Sequence, residues 1–178
     1  AVGTAAALVD TGGKSWFFVA ADYIFGRSLQ EQATKVIESK GGKVLGGVRA
    51  PLGTTDFSSY LLQAQSSKAQ VIGLANAGAD TLNALKQANE FGIVKGGQKV
   101  AALLMFITDV HGLGLPVAQG LQFTTAYYWD RTEASRALGK RFYEKRKSMP
   151  NMDQAGTYSA VRTYLKAVQA VGTDNSDA

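Results

Sequence analysis

A three-layer αβα lobe with a mostly parallel, doubly wound sheet is the α/β fold that the sequence predicts. Short apolar runs of strand length alternate with amphipathic segments of helix length, about one pair per 30 residues. This alternation is typical of βαβ units, in which helices cover both faces of a parallel sheet. The 20 glycines among 178 residues suit the many strand-to-helix turns of such a fold. We expect the strand order 2-1-3-4-5.

Each predicted strand is a short apolar or alternating run. The first, third and fourth are continuous apolar runs, as expected for strands that are buried on both faces. The second is weaker, and the fifth alternates as a strand near an edge does. The five strands are predicted at 15–20, 43–48, 71–75, 100–107 and 121–126.

Helices are predicted wherever apolar residues recur at helical spacing between these strands. Gly41-Gly42 and Gly92 end two of them, and Thr54-Thr55-Asp56 supplies the N-cap chemistry of another. The predicted helices lie at 1–9, at 27–39, directly after residue 56, at 79–91, at 133–147 and at 153–171.

Three turns mark the edge where a ligand is expected. Ligands of open parallel sheets bind outside the carboxyl ends of the strands, and the turns at 22–26, 76–80 and 108–115 follow the first, third and fourth strands. Tyr23 and Phe25 lie in the first turn. Their rings could pack into the core of the lobe or form an apolar wall of a binding site.

The composition excludes several kinds of chemistry. The chain has no cysteine and one histidine, which removes disulfides, thiol nucleophiles and nearly every structural zinc site. Asp109 and His111 are two residues apart and could form an acid–imidazole pair, although a structural or surface role is more usual for a lone histidine. No carboxylate cluster, P-loop or nucleophile elbow is present, so we expect no metal, no cofactor and no enzyme.

The net charge of +5 raises the question of a nucleic-acid partner. Much of the positive charge lies at 131–147, and all of it except Arg131 falls inside the amphipathic helix predicted at 133–147. A solvated helix face explains this pattern better than a nucleic-acid interface, because no aromatic platform is interleaved with the cations. We therefore expect no nucleic-acid partner.

Several segments, taken together in order and spacing, resemble the periplasmic solute-binding proteins of branched-chain amino-acid-type ABC importers. The resemblance covers nearly all of the chain and implies the second lobe of the two-lobed type I periplasmic-binding fold. The segments are Tyr23-Ile24-Phe25-Gly26-Arg27, Gly41-Gly42-Lys43-Val44, Thr55-Asp56-Phe57-Ser58, Leu85-Lys86-Gln87-Ala88 with Phe91-Gly92-Ile93, and Gly156-Thr157-Tyr158-Ser159-Ala160.

The resemblance implies that two lobes close on a small ligand by hinge motion and that a membrane permease is the partner. It implies a periplasmic protein, although residues 1–9 lack the features of a signal peptide. We expect residues 1–148 to form the ligand-binding lobe. Residues 149–178 are expected to form a helix that returns toward the first lobe, followed by a disordered tail.

The resemblance also implies where the ligand lies. The residues carried over are Phe25, the turn of Asn76, Ala77 and Gly78, and Asp109. Tyr23, Thr108 and His111 lie in the same turns and complete the predicted site. Family members often have tyrosine at the positions of Phe25 and Ala77-Gly78, and glutamate at that of Asp109. These differences from the family leave more space in the site and fewer polar groups to contact a ligand. The expected ligand is therefore a small amino acid or an aromatic carboxylate.

Two other functions remain open from the sequence. A sensor or receptor lobe of the same fold would bind a small molecule to regulate a partner, and a fused output domain would favour it. A Rossmann-like enzyme would need a nucleotide fingerprint, which the sequence lacks.

Overall fold

The computed structural model describes residues 1–177, which divide into two compact units. The first unit is Ala1–Thr124 and the second begins at Thr125. The sequence predicts a ligand-binding lobe that ends at residue 148 and a returning helix with its tail from residue 149, and this division stays a prediction. Residue 178, the last residue of the predicted tail, lies outside the described residues. The elements of the first unit are α1 (Val2–Asp10), β1 (Ser15–Ala21), α2 (Ile24–Ser39), β2 (Lys43–Ala50), α3 (Ser58–Ser66), β3 (Val71–Ala75), α4 (Gly78–Glu90), β4 (Lys99–Ala102), α5 (Ile107–Leu113) and α6 (Leu115–Ala118).

The sheet of the first unit has the order β2-β1-β3-β4, and every pair is parallel. The register places Ala20 opposite Ala75 and Leu74 opposite Ala102. All of β3 is buried and β1 is nearly so, because both strands are inner strands with helices on each side. The fold class and the order of the first four strands are therefore as predicted.

Two apolar clusters lie on opposite faces of the sheet. Leu8 of α1 and Ile37 of α2 pack with Trp16 of β1 in one cluster. Leu61 of α3 packs with Ile72 of β3 in the other, which also takes in α4. Consecutive residues of β1 and β3 point to opposite faces, so continuous apolar runs fill both clusters. This arrangement gives the predicted three layers.

Residues 121–126 were predicted as a fifth strand, and that prediction is wrong. The sheet within residues 1–177 has four strands, and Gln122 makes only an isolated parallel bridge to Ala101. The Thr124 hydroxyl instead forms a hydrogen bond with that of Thr4 on α1, at 2.9 Å. Apolar and polar residues alternate in this segment because its apolar residues pack onto the core while Thr124 forms this hydrogen bond to a helix. The alternation does not come from backbone hydrogen bonds to a neighbouring strand.

The fourth strand is shorter than predicted. The apolar run 100–107 suggested one strand, but β4 ends at Ala102 and α5 already begins at Ile107. Met105, between them, is 1% exposed. An apolar run reports burial, which a strand and a tightly packed connection share, so its end could not be located from the sequence.

All three segments predicted as turns are partly helical. The segment 22–26 enters α2, the segment 76–80 enters α4, and the segment 108–115 lies mostly in α5 and the start of α6. The N-cap residues of α2, α4 and α5 are Tyr23, Ala77 and Phe106, and none of them forms a side-chain cap. The usual start signal of a helix was therefore absent from the sequence.

The second unit contains α7 (Glu133–Arg146) and α8 (Met152–Val171), close to their predicted bounds. Thr132 and Asn151 cap them through hydrogen bonds to backbone N–H groups. The basic side chains of α7 are exposed, as expected for a solvated face. The guanidinium of Arg141 donates a hydrogen bond to the Tyr158 hydroxyl at 3.0 Å and lowers the pKa of that phenol. Within the described residues, no helix is both long and apolar enough to cross a membrane.

Candidate ligand-binding site

The carboxyl edge of the sheet brings the predicted site segments together. The parallel strands β1, β3 and β4 end at Ala21, Ala75 and Ala102, and neighbouring strands are in register near these ends. The residues that follow each strand therefore emerge at the same edge. Tyr23, Phe25 and the 76–78 turn follow the adjacent strands β1 and β3, whereas Thr108, Asp109 and His111 lie farther on, in α5.

Tyr23 and Phe25 form a stacked aromatic pair at this edge. Their ring centroids are 5.7 Å apart and the ring planes differ by 25°. Tyr23 is 37% exposed, and Phe25 is half-buried and belongs to neither apolar cluster. Phe25 lies in the first turn of α2, where the pair presents an apolar surface beside the end of β1.

Gly26 allows α2 to approach the sheet closely enough to hold this pair in place. A Cβ atom at Gly26 would lie 2.2 Å from the Ala21 carbonyl oxygen and 2.9 Å from the Ala75 carbonyl oxygen. Gly26 lies in the first turn of α2, and a residue without a side chain is needed because two strand ends meet the helix backbone there.

The turn between β3 and α4 contains a buried amide. Asn76 is 1% exposed, and its Oδ1 accepts a hydrogen bond from the Thr81 hydroxyl at 2.9 Å. Its Nδ2 is enclosed by protein atoms and finds no partner among residues 1–177. Ala77 is half-buried, and Gly78 is exposed with φ of +57°, a left-handed conformation that glycine adopts without strain.

Two residues of α4 that are not among the predicted site residues hold the segment between β2 and α3. The carboxylate of Asp80 is buried and accepts a hydrogen bond from the Gly53 N–H at 3.2 Å. Gln87 accepts from the Phe57 N–H at 2.7 Å and donates to the Thr55 carbonyl at 2.8 Å. Polar residues seven apart share a helix face, and this spacing was the signal that could have identified them.

Asp109 stabilises the start of α5. Its Oδ2 accepts a hydrogen bond from the backbone N–H of Phe106 at 2.9 Å, and the side chain is half-buried. Thr108 is half-buried and His111 is exposed. Residues two apart on a helix point in different directions, so α5 separates Asp109 from His111 and the suggested acid–imidazole pair does not form.

Replacing Asp109 with asparagine is expected to cost about 0.5–1 kcal/mol of stability. Asparagine keeps an acceptor for the Phe106 N–H but loses the charge that favours a helix start. Binding of a plain aromatic carboxylate should be unchanged. An amino-acid ligand whose ammonium pairs with Asp109 would instead lose a few kcal/mol of binding energy. Chemical denaturation and titration calorimetry on the full-length protein measure the two effects.

The matched control for this substitution is Asp56→Asn. The Oδ1 of Asp56 accepts from the Ser58 N–H at 2.9 Å, and hydrogen bonds from Ser58 lower the pKa of that carboxyl. Like Asp109→Asn, the Asp56→Asn substitution removes a carboxylate that accepts a hydrogen bond at the start of a helix, here α3. A loss of aromatic-carboxylate binding in Asp109→Asn, but not in Asp56→Asn, would contradict the structural role of Asp109.

Comparison with known proteins identifies the family. A family model described as "Periplasmic binding protein" matches residues 1–178. Among solved structures, a periplasmic binding protein from Burkholderia mallei is 58% identical, with a TM-score of 0.93, over 99% of this chain and 47% of that chain. A branched chain amino acid ABC transporter periplasmic ligand-binding protein from Burkholderia xenovorans is 42% identical, with a TM-score of 0.84, over 98% of this chain and 47% of that chain.

A third structure adds a bound molecule. It is a solute binding protein of an ABC transporter from Rhodopseudomonas palustris in complex with p-hydroxybenzoic acid. It is 25% identical, with a TM-score of 0.88, over 99% of this chain and 50% of that chain. The chain spans 43% of the length of the curated relatives that it matches. With a family model that covers the whole sequence, this chain belongs to the periplasmic binding protein family.

Proposed function

We propose that this chain is part of the solute-binding component of an ABC transporter and captures a small amino acid or an aromatic carboxylate for import. The observation that carries the proposal is the stacked Tyr23–Phe25 pair at the carboxyl edge of the sheet, beside the 76–78 turn. A partly exposed aromatic pair beside a turn that carries polar atoms suits the enclosure of a small, largely apolar molecule. The protein acts without catalysis.

Of the two ligand classes, the surroundings of the aromatic pair favour an aromatic carboxylate. The stacked rings offer a flat apolar surface, and Asp109, the acid expected to pair with an ammonium group, is engaged by the Phe106 N–H. The solved relative with p-hydroxybenzoic acid supports this choice. A relative named for branched chain amino acids keeps the amino-acid class as the competing ligand.

The remaining parts of the proposal follow from import by an ABC transporter. The protein acts in the periplasm, and its partner is the membrane permease of the transporter. We include Thr108 and His111 in the proposed site because α5, which contains them, is the helix that follows β4. Ala77 and Gly78 border it from the turn after β3.

A thermal-shift screen of the full-length protein tests the proposal. The panel contains benzoate, 4-hydroxybenzoate, L-leucine and L-phenylalanine. A ligand at 100 times its dissociation constant adds about 2.7 kcal/mol of stability, which raises the melting temperature by several degrees. We expect the aromatic acids to give the larger shifts. Larger shifts with the amino acids would reverse the choice of ligand class, and no shift with any of the four would contradict the proposal.

A further inference from the structure

A cavity of about 260 Å³ lies in the first unit, between α4 and the segment that contains α6. Its interior is aliphatic, and none of the described residues that line it is aromatic. The aliphatic side chains are those of Leu85, Ala88, Val100, Val117 and Leu121. The first three are buried members of the core cluster on this face of the sheet, so the packed core shapes the floor of the cavity.

This cavity is separate from the proposed site at the carboxyl edge of the sheet. The helix α4 begins at that edge, directly after β3, and returns the chain to the start of β4, so its last turns lie toward the opposite edge. Ala88 lies ten residues after Gly78, which is about 15 Å along the helix. None of the predicted site residues lines the cavity.

The exposed part of the lining is polar and carries one positive charge. Lys95, in the connection between α4 and β4, is exposed and forms no ion pair in the described part of the chain. The exposed side chains of Asn89 and Gln119 add amide groups that can donate hydrogen bonds. The described lining contains no acid. An aliphatic interior with a cation at its opening complements an anion that has an aliphatic tail.

The volume of the cavity limits the length of that tail. One water molecule occupies about 30 Å³ of liquid, so 260 Å³ holds roughly nine non-hydrogen atoms, the size of an unbranched carboxylate of about eight carbons. We infer that this cavity is a second ligand site, for a short unbranched fatty acid. The tail lies on Leu85, Ala88 and Val100, and the carboxylate lies beside Lys95. This site uses neither the aromatic pair nor the 76–78 turn.

A chain-length series tests the tail and the size of the cavity. Titration calorimetry measures binding of butanoate, hexanoate, octanoate, decanoate and dodecanoate to the full-length protein, below the concentrations at which these acids form micelles. Each methylene that enters the cavity is expected to tighten binding about fourfold. Affinity should rise up to octanoate and then stay level, because further methylenes remain in solvent. An affinity that keeps rising through dodecanoate, or no binding of octanoate, overturns the inference.

Two substitutions locate the bound acid. Lys95→Gln is expected to weaken octanoate binding about threefold, because one exposed charge pair is lost. The matched control is Lys99→Gln, which removes a nearby exposed lysine outside the lining and should leave the affinity unchanged. Ala88→Leu places extra carbon atoms where methylenes of the ligand would lie, and should weaken octanoate binding at least about tenfold. Equal losses in the two lysine variants, or an unchanged affinity in Ala88→Leu, overturn the inference. If Ala88→Leu does not fold, the lysine pair and the chain-length series decide.

Phe25→Ala separates this site from the proposed one. Phe25 belongs to the aromatic pair and does not line the cavity, so this variant should bind 4-hydroxybenzoate less tightly and octanoate as tightly as the wild type. If octanoate binding weakens as well, the fatty acid occupies the proposed site and the inference is overturned. If the wild type binds octanoate but no aromatic carboxylate, the proposed ligand class is wrong and the inference stands.

Discussion

Replacing Phe25 with alanine is expected to weaken binding of an aromatic carboxylate by about 2–4 kcal/mol and to leave the melting temperature of the free protein almost unchanged. Phe25 is half-buried, stacks on Tyr23 and belongs to neither apolar cluster. Its removal therefore takes away a wall of the site without opening a cavity in the core. Titration calorimetry with 4-hydroxybenzoate and thermal unfolding without ligand measure the two effects.

The control for this prediction is Phe18→Ala in β1. Phe18 is fully buried in the cluster that includes α1 and α2. Its truncation should cost about 3–5 kcal/mol of stability through the cavity that it leaves, while binding per folded molecule stays the same. If Phe25→Ala shows this second pattern, Phe25 stabilises the fold and is not a ligand wall.

Replacing Gly26 with alanine is expected to destabilise the protein by more than about 3 kcal/mol, or to prevent folding. The new Cβ would lie 2.2 Å from the carbonyl oxygen of Ala21, 2.8 Å from the nitrogen of Ala21 and 2.9 Å from the carbonyl oxygen of Ala75. All three are backbone atoms of strands in the middle of the sheet, so they cannot rotate away. The start of α2 must move outward, and Phe25 moves with it.

The comparison for Gly26→Ala is Gly112→Ala, another helical glycine of the first unit. No atom lies within 4 Å of a Cβ built at Gly112, so alanine there should be neutral or stabilise by up to about 1 kcal/mol. Chemical denaturation gives the free energy of unfolding of both variants. A Gly26→Ala protein as stable as the wild type would show that α2 does not need its close approach to β1 and β3.

The predicted site and the observed site differ because the sequence does not show which groups form hydrogen bonds with one another. The sequence placed Asp109 directly after the fourth strand, whereas in the structure it lies in α5. The sequence could not show that the backbone N–H of Phe106 donates a hydrogen bond to its carboxylate. The spacing of polar residues on α4 could mark Asp80, but not its hydrogen bond, because its partner, Gly53, is 27 residues away in a different loop. Asn76 was selected for its position, whereas its unpartnered donor became visible only when every neighbour was in place.

The sequence by itself determined the fold class, the order of the first four strands and the two helices of the second unit. The fold class and the helices follow from local periodicity, because an apolar run or an amphipathic stripe reports which faces of one segment are buried. The strand order is the one common to doubly wound sheets of this kind. The tertiary structure alone decided that residues 121–126 do not complete a strand and that the α2 backbone at Gly26 lies directly against β1 and β3. Thr124 meets Thr4 across 120 positions of the chain, and the helix at Gly26 touches the ends of two strands. Contacts between segments so far apart in the chain leave no periodic trace in either segment, so only the folded chain reveals them.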